Sequence, residues 1–274
     1  MLYLESWIFS DSPYFLYINK RRIMEETKSR FYSLMVVGDN PDEMIKKYDS
    51  TMKVEPYIKY HYDDAGKIKK KAIKLMQDIV DNSDKVSLTN IMIDYLKDRI
   101  KILKGMSDFE YYTSLTNDMD INENGDAITT ENPDGKYTTC RIGKNLCIPL
   151  KLKNGGETFQ ARAKDVDWED MHMVNVEVYR AAWELFHNER KPQNSEEEKI
   201  YNNIKNQKKY FEEFDNVDDY INYCCSYWNY AYLDSKGWAD ASDYKNYDWI
   251  TSFYKNFVLK LKDDDIVTIY ECSK

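Results

Sequence analysis

Uninterrupted apolar and β-branched residues mark the run FYSLMVVG at residues 31–38, and a run of that length reads as a strand buried on both faces. The polar stretch behind it, DNPDEMIKKYD, offers Asp39 or Asn40 as N-cap, Pro41 in the first turn and acids near the start. A short helix is therefore predicted to follow the strand. VEPYIKYHY, residues 54–62, alternates and predicts a second strand. Helices are predicted near 64–81 and 87–104, with a third from Ser107 to about Asn117. In the second of these, Leu88, Ile91, Met92, Tyr95, Leu96, Ile100 and Leu103 recur at helical spacing, and the stripe they make is expected to lie in the core. The basic run KIKKKAIK, residues 67–74, is expected to be a solvated face of the first helix.

Further along, KYTTCRI, LCIPLKL and ETFQARA are three short β-like runs separated by GKN and KNGG. KNGG is a hairpin signal, because glycine takes up positive φ without a steric penalty. Residues 175–187 and 195–213 carry helical patterns joined by the polar NERKPQNSEEE. SYWNYAYLDSKGW, residues 226–238, predicts a hairpin around DSKG; WITSFYKNFVLKL predicts an amphipathic helix and DDIVTIYEC a closing strand. The expected class is α+β: one mixed or antiparallel sheet in which the first strand (31–38) pairs with the last (264–272). The whole chain, 1–274, is expected to form one elaborated domain with helical insertions at 63–117 and 176–222.

Composition adjusts this picture in four ways. The 24 Tyr, 10 Phe and 6 Trp far outnumber the 9 Gly and 6 Pro. Tyrosine suits a core periphery and a partner-facing surface alike, and a low-GC coding sequence accounts for its abundance equally well. The net charge of -9 argues against general nucleic-acid binding and allows competition with nucleic acid for a basic partner. No run approaches the roughly 18 apolar residues of a membrane span, and MLYLESWIFSDSPYFLYINKRR carries its basic residues after its apolar stretch rather than before it. Neither a membrane span nor a signal peptide is expected. The five cysteines, Cys140, Cys147, Cys224, Cys225 and Cys272, form no C-x-x-C pair and are expected to be free thiols in a reducing cytoplasm.

Candidate chemistry is sparse. Residues 120–131, DINENGDAITTE, have the spacing of a calcium loop, with Asp120, Asn122, Asn124, the Asp126 carbonyl and Glu131 as ligands and Gly125 at the sharp turn. The helix such a loop needs is broken by Asn132-Pro133-Asp134-Gly135, so a polar hairpin turn held by Asx side chains, leading into the central sheet, is the expected form. Asp167, Glu169, Asp170 and His172, with Cys140 or Cys147, resemble a zinc set only loosely; a solvated acidic turn is expected there. The vicinal Cys224-Cys225 sit among aromatics and read as packing. Lys136, Arg141, Lys144 and Arg162 make the best candidate anion patch, with ordinary cross-strand ion pairing as the alternative. Tyr137, Trp168, Tyr227, Trp228 and Trp238 are the aromatic candidates for partner contact. No metal or other cofactor is expected, and no convergent acid, base and oxyanion binder can be assembled.

FYSLMVVGDNPDEMIKKYD, VEPYIKY, NENGDAITTENPDGKYTTCRIGKN, LKLKNGGETFQARAKDVDW and the closing DDDIVTIYEC together resemble a family found largely in phages and mobile elements. Its members open with a strand ending V-x-G, carry N-P-x-S-K-W-D-W-Y-x-I-G-G-R-W at the centre and end in D-D-T-L-x-T-x-x-D-C. The resemblance is in register over about half the chain. Asn132, Pro133, Lys136, Ile142 and Gly143 match the central motif, whereas Tyr137, Thr138, Thr139 and Cys140 stand at its W-D-W-Y positions and Lys144, Asn145 and Leu146 replace G-R-W. The resemblance implies a setting rather than a mechanism: a phage-related accessory protein in the host cytoplasm. The expected role is non-enzymatic binding of a host protein, such as a nucleic-acid-binding defence effector, in the manner of an anti-CRISPR inhibitor. The alternatives are a nucleotide- or phosphate-handling enzyme using the basic patch, and a calcium-binding protein using residues 120–131.

Overall fold

A computed structural model describes residues 31–82, 90–143, 147–188, 190–204, 214–244 and 247–273. The chain divides into two compact units, one of Thr51–Pro133 and one of Met1–Ser50 with Asp134–Lys274. The stretch expected as a helical insertion, 63–117, thus lies in a unit that also carries strands of its own.

The larger unit is an α+β sheet with helices on its faces. Strand β1 (Phe31–Val37) pairs antiparallel with the last strand, here β11 (Ile266–Ser273), in the register Phe31↔Ser273 to Val37↔Val267. On its other side β1 pairs parallel with β9 (Ala231–Asp234), which turns back into β10 (Gly237–Asp240). The far side of β11 is shared by β5 (Thr139–Ile142), opposite Glu271–Ser273, and β8 (Gln160–Arg162), opposite Ile266–Thr268. The KNGG turn forms its hairpin between β6 (Leu150–Lys151) and β7 (Glu157–Thr158), with Gly155 and Gly156 at φ +85° and +91°.

Both central strands are apolar because both faces are covered. Met35, Val37, Val267 and Ile269 face a core closed by α6 (Val176–His187), α8 (Val217–Cys225) and α9 (Asp248–Asn256), among them Leu185, Ile221, Trp249 and Phe253. Tyr32, Leu34, Val36, Tyr270 and Cys272 point the other way, as strand alternation requires, onto a smaller core with Ile45, Tyr48 and Tyr137. The covering helix is α1 (Pro41–Lys46), with proline in its first turn and Asp42 and Glu43 beside it. Helix α8 runs three residues past the expected 176–222 insertion and is capped by the Asn216 side chain. Helix α7 covers Ser195–Ile204; the remainder of the predicted 195–213 helix lies outside the described residues.

The smaller unit has a three-stranded antiparallel sheet, β2 (Lys53–Tyr60), β4 (Ala127–Glu131) and β3 (Asp120–Ile121) in that order, with α2 (Ala65–Asp81), α3 (Asn90–Gly105) and α4 (Asp108–Leu115). A Ser107–Glu110 capping box starts α4. The core is small: among the described residues Ala65, Tyr112 and Ala127 form a buried cluster, with Ile100, Leu103 and Tyr111 also buried.

Three expectations are corrected. The α3 stripe is not all core: Ile100 and Leu103 are buried, but Ile91, Met92 and Tyr95 are exposed, because so small a core cannot cover both sides of a helix. Leu88 lies outside the described residues. The 120–131 hairpin belongs to the small sheet rather than leading into the central one, since β4 pairs with β2. The cysteines are not all free: Cys140 and Cys272 stand directly opposite on β5 and β11, 4.1 Å apart at Cα, and are disulfide-bonded, leaving Cys147, Cys224 and Cys225 as buried thiols. Among the described residues no helix is long and apolar enough to cross a membrane.

Candidate functional site

The candidate residues sort by strand parity. Arg141 opposes Glu271, on the face of β11 shared by Val267 and Ile269; Arg162 opposes Ile266, on the other face and five residues away, about 17 Å along the strand. Arg141 Nη2 lies 3.0 Å from Glu271 Oε1, and Arg162 Nη1 lies 3.7 Å from Asp264, which Lys164 also meets at 2.8 Å. Lys136 Nζ is 3.9 Å from Asp240. Each of these three cations therefore already faces a carboxylate, and they do not converge on one point. Lys144 lies outside the described residues.

Lys136, Tyr137 and Trp238 do come together, on the Tyr32 face of the sheet. Lys136 and Tyr137 grip the end of α1: Lys136 N and Tyr137 N both donate to Tyr48 O, and Tyr137 Oη donates to Ile45 O at 3.1 Å. Tyr32 Oη donates to Lys136 O at 3.0 Å, and Tyr270 Oη to Asp42 Oδ1 at 2.6 Å. Trp238 packs on Tyr48 with ring centroids 5.1 Å apart, and its Nε1 donates to Asp240 Oδ2 at 2.8 Å. Burial pushes the Tyr137 phenol up to about 12, and Tyr32 and Tyr270 rise further for the same reason. At neutral pH these are protonated donors. Sequence reasoning did not single out Tyr32, Tyr270 or Asp240; the signal for the two tyrosines was their even position on two apolar strands, and Asp240, at the end of β10, carried none.

On the opposite face Trp168 meets Tyr227 edge-on at 5.7 Å, and Trp228 is buried in the large core. His172 stacks on Tyr254 at 3.7 Å, and its Nδ1 accepts from Tyr227 N at 3.3 Å. Burial lowers its pKa and keeps the ring neutral. Asp167 caps the short helix α5 (Trp168–Met171) through Asp170 N. Burial raises the Cys225 thiol to about 12 and Cys224 further, so neither supplies a thiolate nucleophile.

No family model, characterised protein or solved structure matches this chain.

In the smaller unit the calcium-spaced residues are spent on the turn. Asn122 Oδ1 accepts from Asn124 N and Asp126 N at 3.0 and 2.9 Å, with Gly125 at φ +81°. Asp126 Oδ1 accepts from Tyr62 N at 3.0 Å and its other oxygen lies 3.4 Å from His61. Glu131 turns to Lys59 across the sheet, and Asp120 pairs with Ile128 in the ladder. Among the described residues no group of three or more His, Cys, Asp or Glu is arranged to hold a metal ion. A shallow cleft of about 590 Å³ in the larger unit is lined by Gly38, Asp39 and the Lys262–Ile266 segment, where Asp264 is engaged by Lys164 and Arg162 and Asp265 accepts from Lys262 N. Leu75, Ile91, Tyr95, Ile102 and Phe109 of the smaller unit are large apolar side chains left exposed.

Proposed function

We propose that this chain is a non-catalytic protein-binding protein, acting as a phage or mobile-element accessory that inhibits a host defence system. One observation carries the binding reading: the polar side chains of the sheet are spent on one another while large apolar side chains of the helical unit stand in solvent. Arg141, Arg162 and Lys136 face Glu271, Asp264 and Asp240. Burial raises the Tyr137 phenol and the Cys224 and Cys225 thiols and holds them protonated, which suits packing rather than covalent chemistry. Large apolar side chains exposed along one side of a helix, as Ile91, Tyr95 and Ile102 are, suit a protein interface instead. The phage-like blocks described above support the defence-inhibitor role.

The test is interference with defence. Expressed in bacteria that carry a CRISPR effector or a restriction system, the chain is expected to raise phage plaquing at least tenfold. Plaquing that stays at the defended level across several such systems argues against the role, and detection of nucleotide turnover by the purified chain argues against the non-catalytic reading.

A further inference from the structure

Helices α2 and α3 pack on each other, and α2 also packs on α4. On α3, Ile100 and Leu103 face inward while Ile91, Tyr95 and Ile102 remain 81%, 66% and 52% exposed. At about 100° per residue these three fall within one sector roughly 40° wide, on the side away from Ile100. Helix α3 is thus apolar on two opposite sides, and apolar surface on both sides of a helix calls for cover on both.

The neighbouring helix supplies charge. Lys67, Lys70, Lys71 and Lys74 stand at i, i+3, i+4 and i+7 on α2, and all four are exposed. Lys67 is paired with Asp64 at 2.7 Å, whereas among the described residues no ion pair reaches Lys70, Lys71 or Lys74. Like charges at this spacing repel, and an anionic surface relieves the repulsion. Lys69, between them, is drawn inward to Asp108 and Met106 O and takes no part. Residues 65–105 hold ten basic and five acidic residues in a chain whose net charge is -9, so this helical pair is basic against an acidic background.

We propose that the exposed faces of α2 and α3 form the docking surface for an acidic protein. Ile91, Tyr95 and Ile102 seat in an apolar groove of the partner, and the α2 lysines meet carboxylates at its rim. Packed helices lie only about 8–10 Å apart, so one partner spans both. The inference rests on the protein-binding reading above and names its surface and the chemistry of what it holds. Charge complementarity fixes the sign of the partner. The aliphatic anchors select protein over nucleic acid, because a phosphate backbone offers Ile91 and Ile102 no cover. A second copy is disfavoured, since it would bring one basic pair of helices against another.

The experiment uses the full chain, a K70E/K71E/K74E variant and an I91S/Y95S/I102S variant. All six positions are exposed, so both variants are expected to keep the wild-type circular dichroism and urea midpoint; should either unfold, K71E and I91S alone replace it. The tagged wild-type chain is used to capture from nuclease-treated bacterial lysate, the bound protein is identified and purified, and its affinity for each variant is measured at low and high salt. The expected result is one stoichiometric acidic protein whose Kd weakens at least about tenfold with each variant, a loss of 1.4 kcal/mol or more. Salt is expected to weaken the wild type and to change the lysine variant little. A partner held equally by both variants overturns this surface and leaves the protein-binding reading standing; the absence of any partner removes both. A basic partner, a short DNA duplex bound by the wild type and lost by the lysine variant, or a dimer lost by the apolar variant each overturns the proposal.

Discussion

Replacing Asp240 by asparagine tests whether the polar side chains under the sheet are structural. Asp240 is 6% exposed, and its oxygens accept from Trp238 Nε1 at 2.8 Å, from Ser242 N at 3.0 Å and from the Ser242 hydroxyl. Asparagine keeps the shape but presents one acceptor and one donor, so at least one of these partners meets an N–H instead of an oxygen. Losing one or two charge-assisted bonds at about 1.5–3 kcal/mol each, softened where water reaches Trp238 and Lys136, puts the cost at about 2–4 kcal/mol. At about 2–4 °C per kcal/mol for a unit of this size, Tm falls by roughly 5–15 °C. The variant also changes the pH profile. Burial raises the Asp240 carboxyl, but hydrogen bonds from Ser242 and Trp238 and the Lys136 charge outweigh it and leave the pKa below the ordinary carboxylate value. With the folded pKa depressed, the unfolded state binds more protons in acid. The contribution is complete above the ordinary value of about 3.9 and is lost as pH falls below it through the depressed folded value. Urea unfolding followed by circular dichroism, from neutral pH into the carboxylate range, should show the wild type losing stability in that window and D240N losing less. Equal midpoints at neutral pH together with equal acid slopes would refute a structural role for this carboxylate.

Four further outcomes follow from the same geometry. Leu103→Ala is expected to cost about 2–5 kcal/mol as a core truncation, and I91S less than about 0.5 kcal/mol; comparable urea midpoints for the two would mean that α3 is oriented otherwise. Asn122→Ala removes both side-chain bonds that close the 122–126 turn and should lower stability by about 1 kcal/mol, whether or not calcium is added; a calcium-dependent rise in the wild-type melting temperature counts against the hairpin. Alkylation of unfolded, unreduced protein should label Cys147, Cys224 and Cys225 only, with Cys140 and Cys272 joining after reduction; labelling of all five without reductant removes the disulfide. For His172, burial depresses the folded pKa, so its contribution to stability is whole above the free imidazole value of about 6.5 and declines as pH falls below it. His172→Phe, which keeps the stack on Tyr254, should flatten that decline as read by urea midpoints.

The larger unit was legible in the sequence because its strands are buried on both faces. FYSLMVVG and IVTIYEC read as strands covered on both faces and they pair within the central sheet, and the KNGG and DSKG turns carried their hairpins in their own residues. Less could be read in the smaller unit, where helical periodicity reports that a side chain is apolar and not whether anything covers it. Ile91 and Ile100 look alike along the sequence; only the size of the core distinguishes them. The same limit applied to the cysteines, since Cys140 and Cys272 are 132 residues apart and become neighbours only through the pairing of β5 with β11. The Arg141 and Arg162 patch failed to converge because a difference of one in strand parity sends two arginines to opposite faces.

That this chain works by holding another protein is tested most directly by native mass spectrometry of the tagged chain recovered from bacterial cytoplasm after nuclease treatment. The expected spectrum contains the chain bound to one intact acidic protein at fixed stoichiometry, and the complex dissociates when Ile91, Tyr95 and Ile102 are replaced by serine. A spectrum showing only the 32.7 kDa chain, from a preparation that turns over nucleotides or phosphoesters, would contradict it.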